Sequence, residues 1–251
     1  MIVLFTDFGL TGPYVGQVKA ILARRAPGTP VIDLFADAPA FSPKLSAYLL
    51  AAYASWFEPG DVILGVVDPG VGGGRRGMVV EADGRWFVGP DNGLFELIRR
   101  RARTLRAWPL DEADAGAAPT FHGRDVFAPA AAGIAIGWRP REAQARVTAF
   151  DDWPDDLPAV VYVDHYGNAM TGIRAEILGP DDRLRAGGRT IARARTFTAV
   201  APGHLLWYAN ANGLAEIALR DGAAAEALGI APGTGIEILK GGEVAGGSDE
   251  P

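Results

Sequence analysis

The sequence predicts an α/β fold: an N-terminal α/β sheet domain with flanking helices over residues 1–150, then a small C-terminal all-β, barrel-like domain over 159–251. Three observations predict it. Short apolar runs alternate with segments of helical spacing through the first 150 residues. The stretch "DDWPDDLP" (151–158), with four acids and two prolines, reads as a linker. Beyond it the apolar runs are short and separated by Gly, Pro and Asp, as in β-rich domains.

Taken in order, "IVLFT" (2–6) is a buried-strand run, and "PYVGQVKAILARR" (13–25) places Val15, Val18, Ile21 and Leu22 on one helical face, with Pro13 in its first turn. "VIDLF" (31–35) is a strand, and "PKLSAYLLAAYASWF" (43–57) is a helix with a wide apolar face. "DVILGVV" (61–67), "MVVEA" (78–82) and "RWFVG" (85–89) are strands, the last two paired through a hairpin at Asp83-Gly84. "NGLFELIRRRA" (92–102) and "VFAPAAAGIAIG" (126–137) are helical. After the linker, "AVVYV", "RTIARARTF", "HLLWYA", "LAEIAL" and "GIEIL" are β runs, and the tail "GGEVAGGSDEP" reads as disordered.

Bulk properties narrow the function. The chain of 251 residues carries a net charge of −6 and is 49% hydrophobic. That balance argues against nucleic acid or an anionic membrane as partner. With no cysteine there is no disulfide and no thiolate metal site, which suits the cytoplasm, and three histidines are too few for a His-rich metal site. No signal peptide and no transmembrane helix is read.

Four polar stretches interrupt the apolar pattern: "TDFG" (6–9), "DPGVGGGRR" (68–76), "GPDNG" (89–93) and "FHGRD" (121–125). Each is placed after a strand, and open α/β sheets bind ligands at the carboxyl ends of their strands, so the four are expected to form one site. Turn formation is the competing explanation for each. In "GPDNG", Asp91 or Asn92 either caps the next helix or faces the site. Gly72, Gly74 and Gly77 match G-x-G-x-x-G in form only, because a strand-like run follows where a helix is required. The glycines are expected to let backbone approach a ligand. Asp68 and Arg75 can fold back onto one another, and the adjacent Arg75 and Arg76 point apart. His122 with Asp68 and Arg75 would unite an acid, an imidazole and a guanidinium, the carboxylate orienting the imidazole or raising its basicity. Arg124 and Asp125 either pair locally or Asp125 caps the next helix. In "VDHYGNAMTGI" (163–173), Asn168 can read a heterocycle edge and Tyr166 can stack on it, or the stretch is an Asx turn. Asn210 and Asn212 are turn residues first.

In this order, "TDFGLTGPYVGQVKA", "VVDPGVGGGRR", "GPDNGLF", "FHGRDVFAPAAA", "DHYGNAMT" and "ANGLAEIA" resemble the S-adenosylmethionine hydroxide adenosyltransferases, relatives of the fluorinases and chlorinases. The likeness runs from residue 2 to about 240. It implies a homotrimer with each ligand held between the N-terminal domain of one subunit and the C-terminal domain of its neighbour. It implies S-adenosylmethionine as substrate, adenosine and L-methionine as products, and no cofactor or metal. Asp68, Arg75 and His122 stand at the positions of the family's catalytic triad. Asp7 matches the carboxylate on the ribose diol, and Phe41 an aromatic near the nucleoside. Asp164 matches a residue near the methionine end, with Tyr166, Asn168 and Asn212 in ligand-contacting segments.

The implied chemistry suits these residues. A sulfonium leaves as a neutral thioether and needs neither an acid nor a metal; what remains is to align water with C5′. His122 with Asp68 is expected to take or relay the proton, while Arg75 positions the nucleophile. Halide-using relatives carry Tyr and Thr where this chain has Asp68 and Val71, and fluorinases carry Tyr-Ser at His122-Gly123. A charged Asp68 would repel halide. Gly12 and Ala211 depart from the acid and the serine common in the family, which bears on the methionine end. A non-catalytic nucleoside-binding protein and a Mg²⁺-dependent hydrolase are the competing classes.

Overall fold

The computed structural model describes residues 1–110, 117–140 and 145–241. Its chain forms two compact units, Met1–Asp152 and Trp153–Pro251. Most of the tail read as disordered lies outside the described residues.

In the first unit, β1 (Ile2–Thr6) and β3 (Val62–Val66) are buried along their whole length, as expected of strands covered on both faces. With β2 (Val31–Phe35), β4 (Gly77–Ala82), β5 (Arg85–Pro90) and β6 (Leu105–Leu110) they form a six-stranded sheet of order β2-β1-β3-β5-β4-β6. β1 is parallel to β2 and β3, and β3 to β5, whereas β4 is antiparallel to β5 and β6. The β4–β5 hairpin turns at Asp83 (φ 48) and Gly84 (φ 81), the two positive φ values that a type I′ turn requires. α1 (Tyr14–Arg25) and α4 (Ala128–Ala135) cover one sheet face through Val18, Leu22, Ala131 and Ala132, in a core shared with Ile2, Leu4, Val66 and Phe127.

α2 spans Pro43–Tyr53, with Ser42 as N-cap accepting from the Leu45 amide, and a 3₁₀ turn, Ala54–Trp56, finishes the segment read as one helix. α3 (Glu96–Arg101) starts later than the sequence pattern implies, because Asn92 makes a turn in which its Oδ1 accepts from the Leu94 amide. β6 was missed: Leu105 and Arg106 are exposed, Ala107 and Trp108 buried, so no period of two marks it as a strand, and Pro109, which this edge strand tolerates, reads as a break.

The second unit is built mainly from antiparallel strands. β7 (Leu157–Val163), β8 (Ala169–Arg174), β11 (Leu205–Ala209) and β12 (Leu214–Leu219) form a sheet of order β11-β12-β8-β7. β9 (Arg183–Ala186), β10 (Arg189–Ile191) and β13 (Glu237–Leu239) form a second, of order β10-β9-β13. Bridges Ala159–Gly235 and Arg193–Trp207 lie outside these ladders. The core gathers Val160, Ile173, Leu184, Trp207 and Ile217, with Trp207 donating through Nε1 to the Asp182 carbonyl. α5 (Ala224–Leu228) departs from the all-β expectation, and "RTIARARTF" is a strand only as far as Ile191. β7 begins inside the segment read as linker, and Asp156 there accepts from both the amide and the guanidinium of Arg174. Among the described residues no helix is long and apolar enough to cross a membrane.

Candidate active site

The order of the parallel strands determines where a ligand can enter. From β1 the chain runs outward to β2, then crosses back to β3 on the other side of β1. The connections part between β1 and β3, and such a switch point opens a crevice at the carboxyl ends of the strands. Asp7 directly follows β1, and Asp68 follows β3 after Val67; Thr6 is paired with Val66, and the Asp7 amide donates to the Val66 carbonyl at 3.3 Å. A cleft of about 480 Å³ opens here, lined by Asp7, Phe8, Tyr14, Phe41, Asp68, Phe121 and His122 among others.

Two loops converge on it. In the loop after β3, Arg75 folds back on Asp68: Nε donates to Oδ1 at 2.9 Å and Nη2 to Oδ2. Both side chains are largely buried, at 12% and 5% exposure, so this bidentate pair is shielded from water. The same Nη2 lies 3.0 Å from Nδ1 of His122, so the guanidinium stands between carboxylate and imidazole. Arg76 turns away to Asp91, at 3.2 Å.

His122 sits at the entry to a π-helical turn, Gly123–Phe127, that runs into α4. The wider turn puts the fully buried Phe127 against both partners, its ring 5.2 Å from the Arg75 Cζ and edge-on to His122 at 6.4 Å. Gly123 is needed there, since a Cβ would stand 2.8 Å from the Phe8 ring. Gly72, at φ +78, packs on the segment that leads to His122, where a Cβ would lie 2.7 Å from the Pro119 carbonyl.

Of the four polar stretches, three supply the cleft. "GPDNG" does not: Asp91 accepts from the amide and hydroxyl of Thr148 and from Arg76, and Asn92 donates to the Val67 carbonyl. Neither caps α3. "FHGRD" also differs from expectation, since it enters a helix instead of following a strand. Asp125 pairs with Arg124 and accepts from the Ala118 amide, and does not cap the helix.

Asp7 accepts from the Phe41 amide at 3.1 Å. Burial raises its pKa above the ordinary aspartate value, with nearby Asp68 adding to the rise and the Phe41 amide opposing it. Phe41 has φ 59 and is 80% exposed, a left-handed backbone that presents its ring at the cleft.

The second unit has its own pocket of about 640 Å³, lined by Asp164, Tyr166, Asn168, Phe197, Tyr208, Glu216 and others. Asp164 accepts from the amides of Tyr166 and Asn168 and from Asn168 Nδ2, an Asx-type turn that leaves Tyr166 75% exposed. Asn212 is not among the lining residues; its amide donates to Asn210 Oδ1. Sequence reasoning missed Glu216, which is 3% exposed and bonded by the Tyr208 hydroxyl and by Asn210 Nδ2. An acid inside the apolar run "LAEIAL" was the available signal. Burial raises the pKa of both Glu216 and Tyr208. Among the described residues no group of three or more His, Cys, Asp or Glu side chains is placed to hold a metal ion.

Residues 2–144 match the profile of the SAM hydroxide adenosyltransferase N-terminal domain, and residues 158–237 that of the C-terminal domain. The chain belongs to this family. A (R)-S-adenosyl-L-methionine hydrolase of Thermus thermophilus is 42% identical, covering 93% of this chain and 97% of that one. A protein of the same name from Salinispora tropica is 35% identical over 94% and 96%. Among solved structures, an uncharacterized conserved protein from Thermotoga maritima superposes with a TM-score of 0.86 at 29% identity, over 96% of this chain and all of that one. A conserved hypothetical protein from Thermus thermophilus gives 0.74 at 35% identity, over 95% and 99%.

Proposed function

We propose that this member of the SAM hydroxide adenosyltransferase family hydrolyses S-adenosyl-L-methionine, water attacking C5′ to release adenosine and L-methionine. The observation that carries the reading is the contact of Asp68, Arg75 and His122 at the switch-point cleft. The names of the curated relatives specify the (R) form of the substrate, and the proposal extends to that sulfonium configuration.

In this reading the new C5′–O bond forms as the C5′–S bond breaks. The electron pair of the breaking bond stays on sulfur as a neutral thioether, and one proton is released. The leaving group therefore needs neither acid nor Lewis acid, which supports a metal-independent reaction without a cofactor. Catalysis rests on alignment of water with C5′ and on a fixed charge array that excludes bulk solvent. Asp7 accepts from the ribose diol and Phe41 covers the nucleoside. Asp164, Tyr166 and Asn168 serve the ligand from the second unit of a neighbouring copy in a homotrimer, with Asn212 on the same side. A cytoplasmic location, the division into domains 1–150 and 159–251, and a barrel-like closure of the second unit belong to the same proposal. The bridges Ala159–Gly235 and Arg193–Trp207, two of the three isolated bridges among its described residues, support the closure. Halide transfer is disfavoured by the buried carboxylate of Asp68 in the cleft.

The test is incubation with each sulfonium epimer in ¹⁸O-labelled water, followed by mass spectrometry. Labelled adenosine with free methionine is the expected result. Unlabelled adenosine, or 5′-halogenated nucleoside in the presence of halide, would overturn the assignment.

A further inference from the structure

We infer that His122 serves as a hydrogen-bond donor, fixed in the Nε2–H tautomer by Arg75, and not as the base that removes the proton from water. The inference rests on the proposed hydrolysis for its catalytic meaning, though its structural core stands without it.

A guanidinium has five N–H donors and no acceptor. Its Nη2 lies 3.0 Å from Nδ1 of His122, so that nitrogen can take part only as an unprotonated acceptor. A neutral imidazole carries one proton, and it must then reside on Nε2. The ring has no freedom to exchange these roles. Arg75 is held on its other side by both carboxylate oxygens of Asp68, and Phe127 packs against guanidinium and imidazole together. The π-helical turn fixes the backbone on the C-terminal side of His122.

Among the described residues, the charged groups near the ring or sharing its cleft are Arg75 and Asp68 on the loop after β3, Asp7 after β1, and Asp125 on the π turn, the last already paired with Arg124. A proton arriving at Nδ1 would break the Arg75 contact and place two cations face to face. Nε2–H is what the ring offers to the cleft that His122 lines. As a donor it takes one lone pair of the attacking water and leaves the other aligned with C5′. The released proton goes to the carboxylate side of the triad, Asp68, and from there to solvent. Asp68 is the only member of the three with acceptor capacity left.

The test combines a spectroscopic and a kinetic reading. ¹⁵N-histidine spectra of the free full-length enzyme, with the His122 signals assigned by their loss in His122→Gln, are expected to show a pyridine-type Nδ1 and a pyrrole-type Nε2. His122→Gln, which keeps an N–H donor but offers no base of comparable strength, is expected to retain kcat within about tenfold, whereas His122→Ala loses about 100-fold or more. An Nδ1–H tautomer or an imidazolium would overturn the inference, as would a folded Gln variant as inactive as Ala. Because the spectra need no substrate, a wrong tautomer is distinguishable from failure of the hydrolase reading.

Discussion

Gly72 and Pro119 meet backbone to backbone: a Cβ on Gly72 would lie 2.7 Å from the Pro119 carbonyl oxygen, and Gly72 holds φ at +78. This contact locks the loop of Asp68 and Arg75 onto the segment that leads to His122. Gly72→Ala should therefore cost about 1–3 kcal/mol of stability from backbone strain alone. It should also lower kcat by about tenfold or more by spreading the triad. Thermal melts and steady-state kinetics check this; wild-type kcat in the folded variant would separate the loop contact from catalysis.

Arg75→Lys tests the fork. Lysine can meet one carboxylate oxygen as a point charge but cannot span both Asp68 oxygens and His122 Nδ1. The expected loss in kcat is about 100-fold, with KM changed much less. A rise in KM at constant kcat would instead make Arg75 a ground-state binding group.

The neighbouring arginine should behave oppositely. Arg76 is 55% exposed and its partner Asp91 only 2%, so Arg76→Ala should cost under about 1 kcal/mol and leave turnover within a few-fold. Asp91→Ala should cost more, about 1–2 kcal/mol, because the buried carboxylate is the shared acceptor for Arg76 and for the amide and hydroxyl of Thr148. Denaturant melts of the two variants check the contrast.

Two acids give opposite dependences of stability on pH. The Lys240 ammonium and the amides of Gly241 and Gly179 lower the Asp182 pKa from 3.8 to about 2. Its contribution is present above the unfolded value and is lost as pH falls from 3.8 toward about 2; Asp182→Asn should abolish that slope. Glu216 is raised above 4.5 by burial, only partly offset by Tyr208 and Asn210. The folded state therefore holds its proton longer than the unfolded one, and stability falls as pH rises through that window. Glu216→Gln should melt higher than wild type at about pH 7 and lose the advantage near about pH 4. Melting curves across pH check both signs.

Much of the first unit was legible in the chain. The runs 2–6, 31–35 and 85–89 became strands almost residue for residue: 2–6 is buried throughout and so continuously apolar, whereas 31–35 is a largely uncovered edge strand whose signal is its β-branched Val31 and Ile32. Asp83-Gly84 announced its hairpin by turn chemistry alone. β6 and β9 were missed because each is short in buried apolar residues and carries exposed arginines, with Pro109 in β6 as well, a weak signal beside the stronger apolar runs. α5 was missed because five residues are too short for a helical period to register.

At the site, the sequence by itself determined which residue types were present and that Arg75 and Arg76, as neighbours, would diverge. Only the tertiary structure decided that Arg75 stands between Asp68 and His122, that Asp91 belongs to a structural clamp, and that Gly72 meets backbone. The physical reason is range. Propensity and periodicity act over a few residues, whereas the Arg75–His122 contact joins positions 47 apart. It depends on the strand crossover that sets β3 beside β1 and on the π turn that brings His122 to the cleft, and neither leaves a local pattern in the chain.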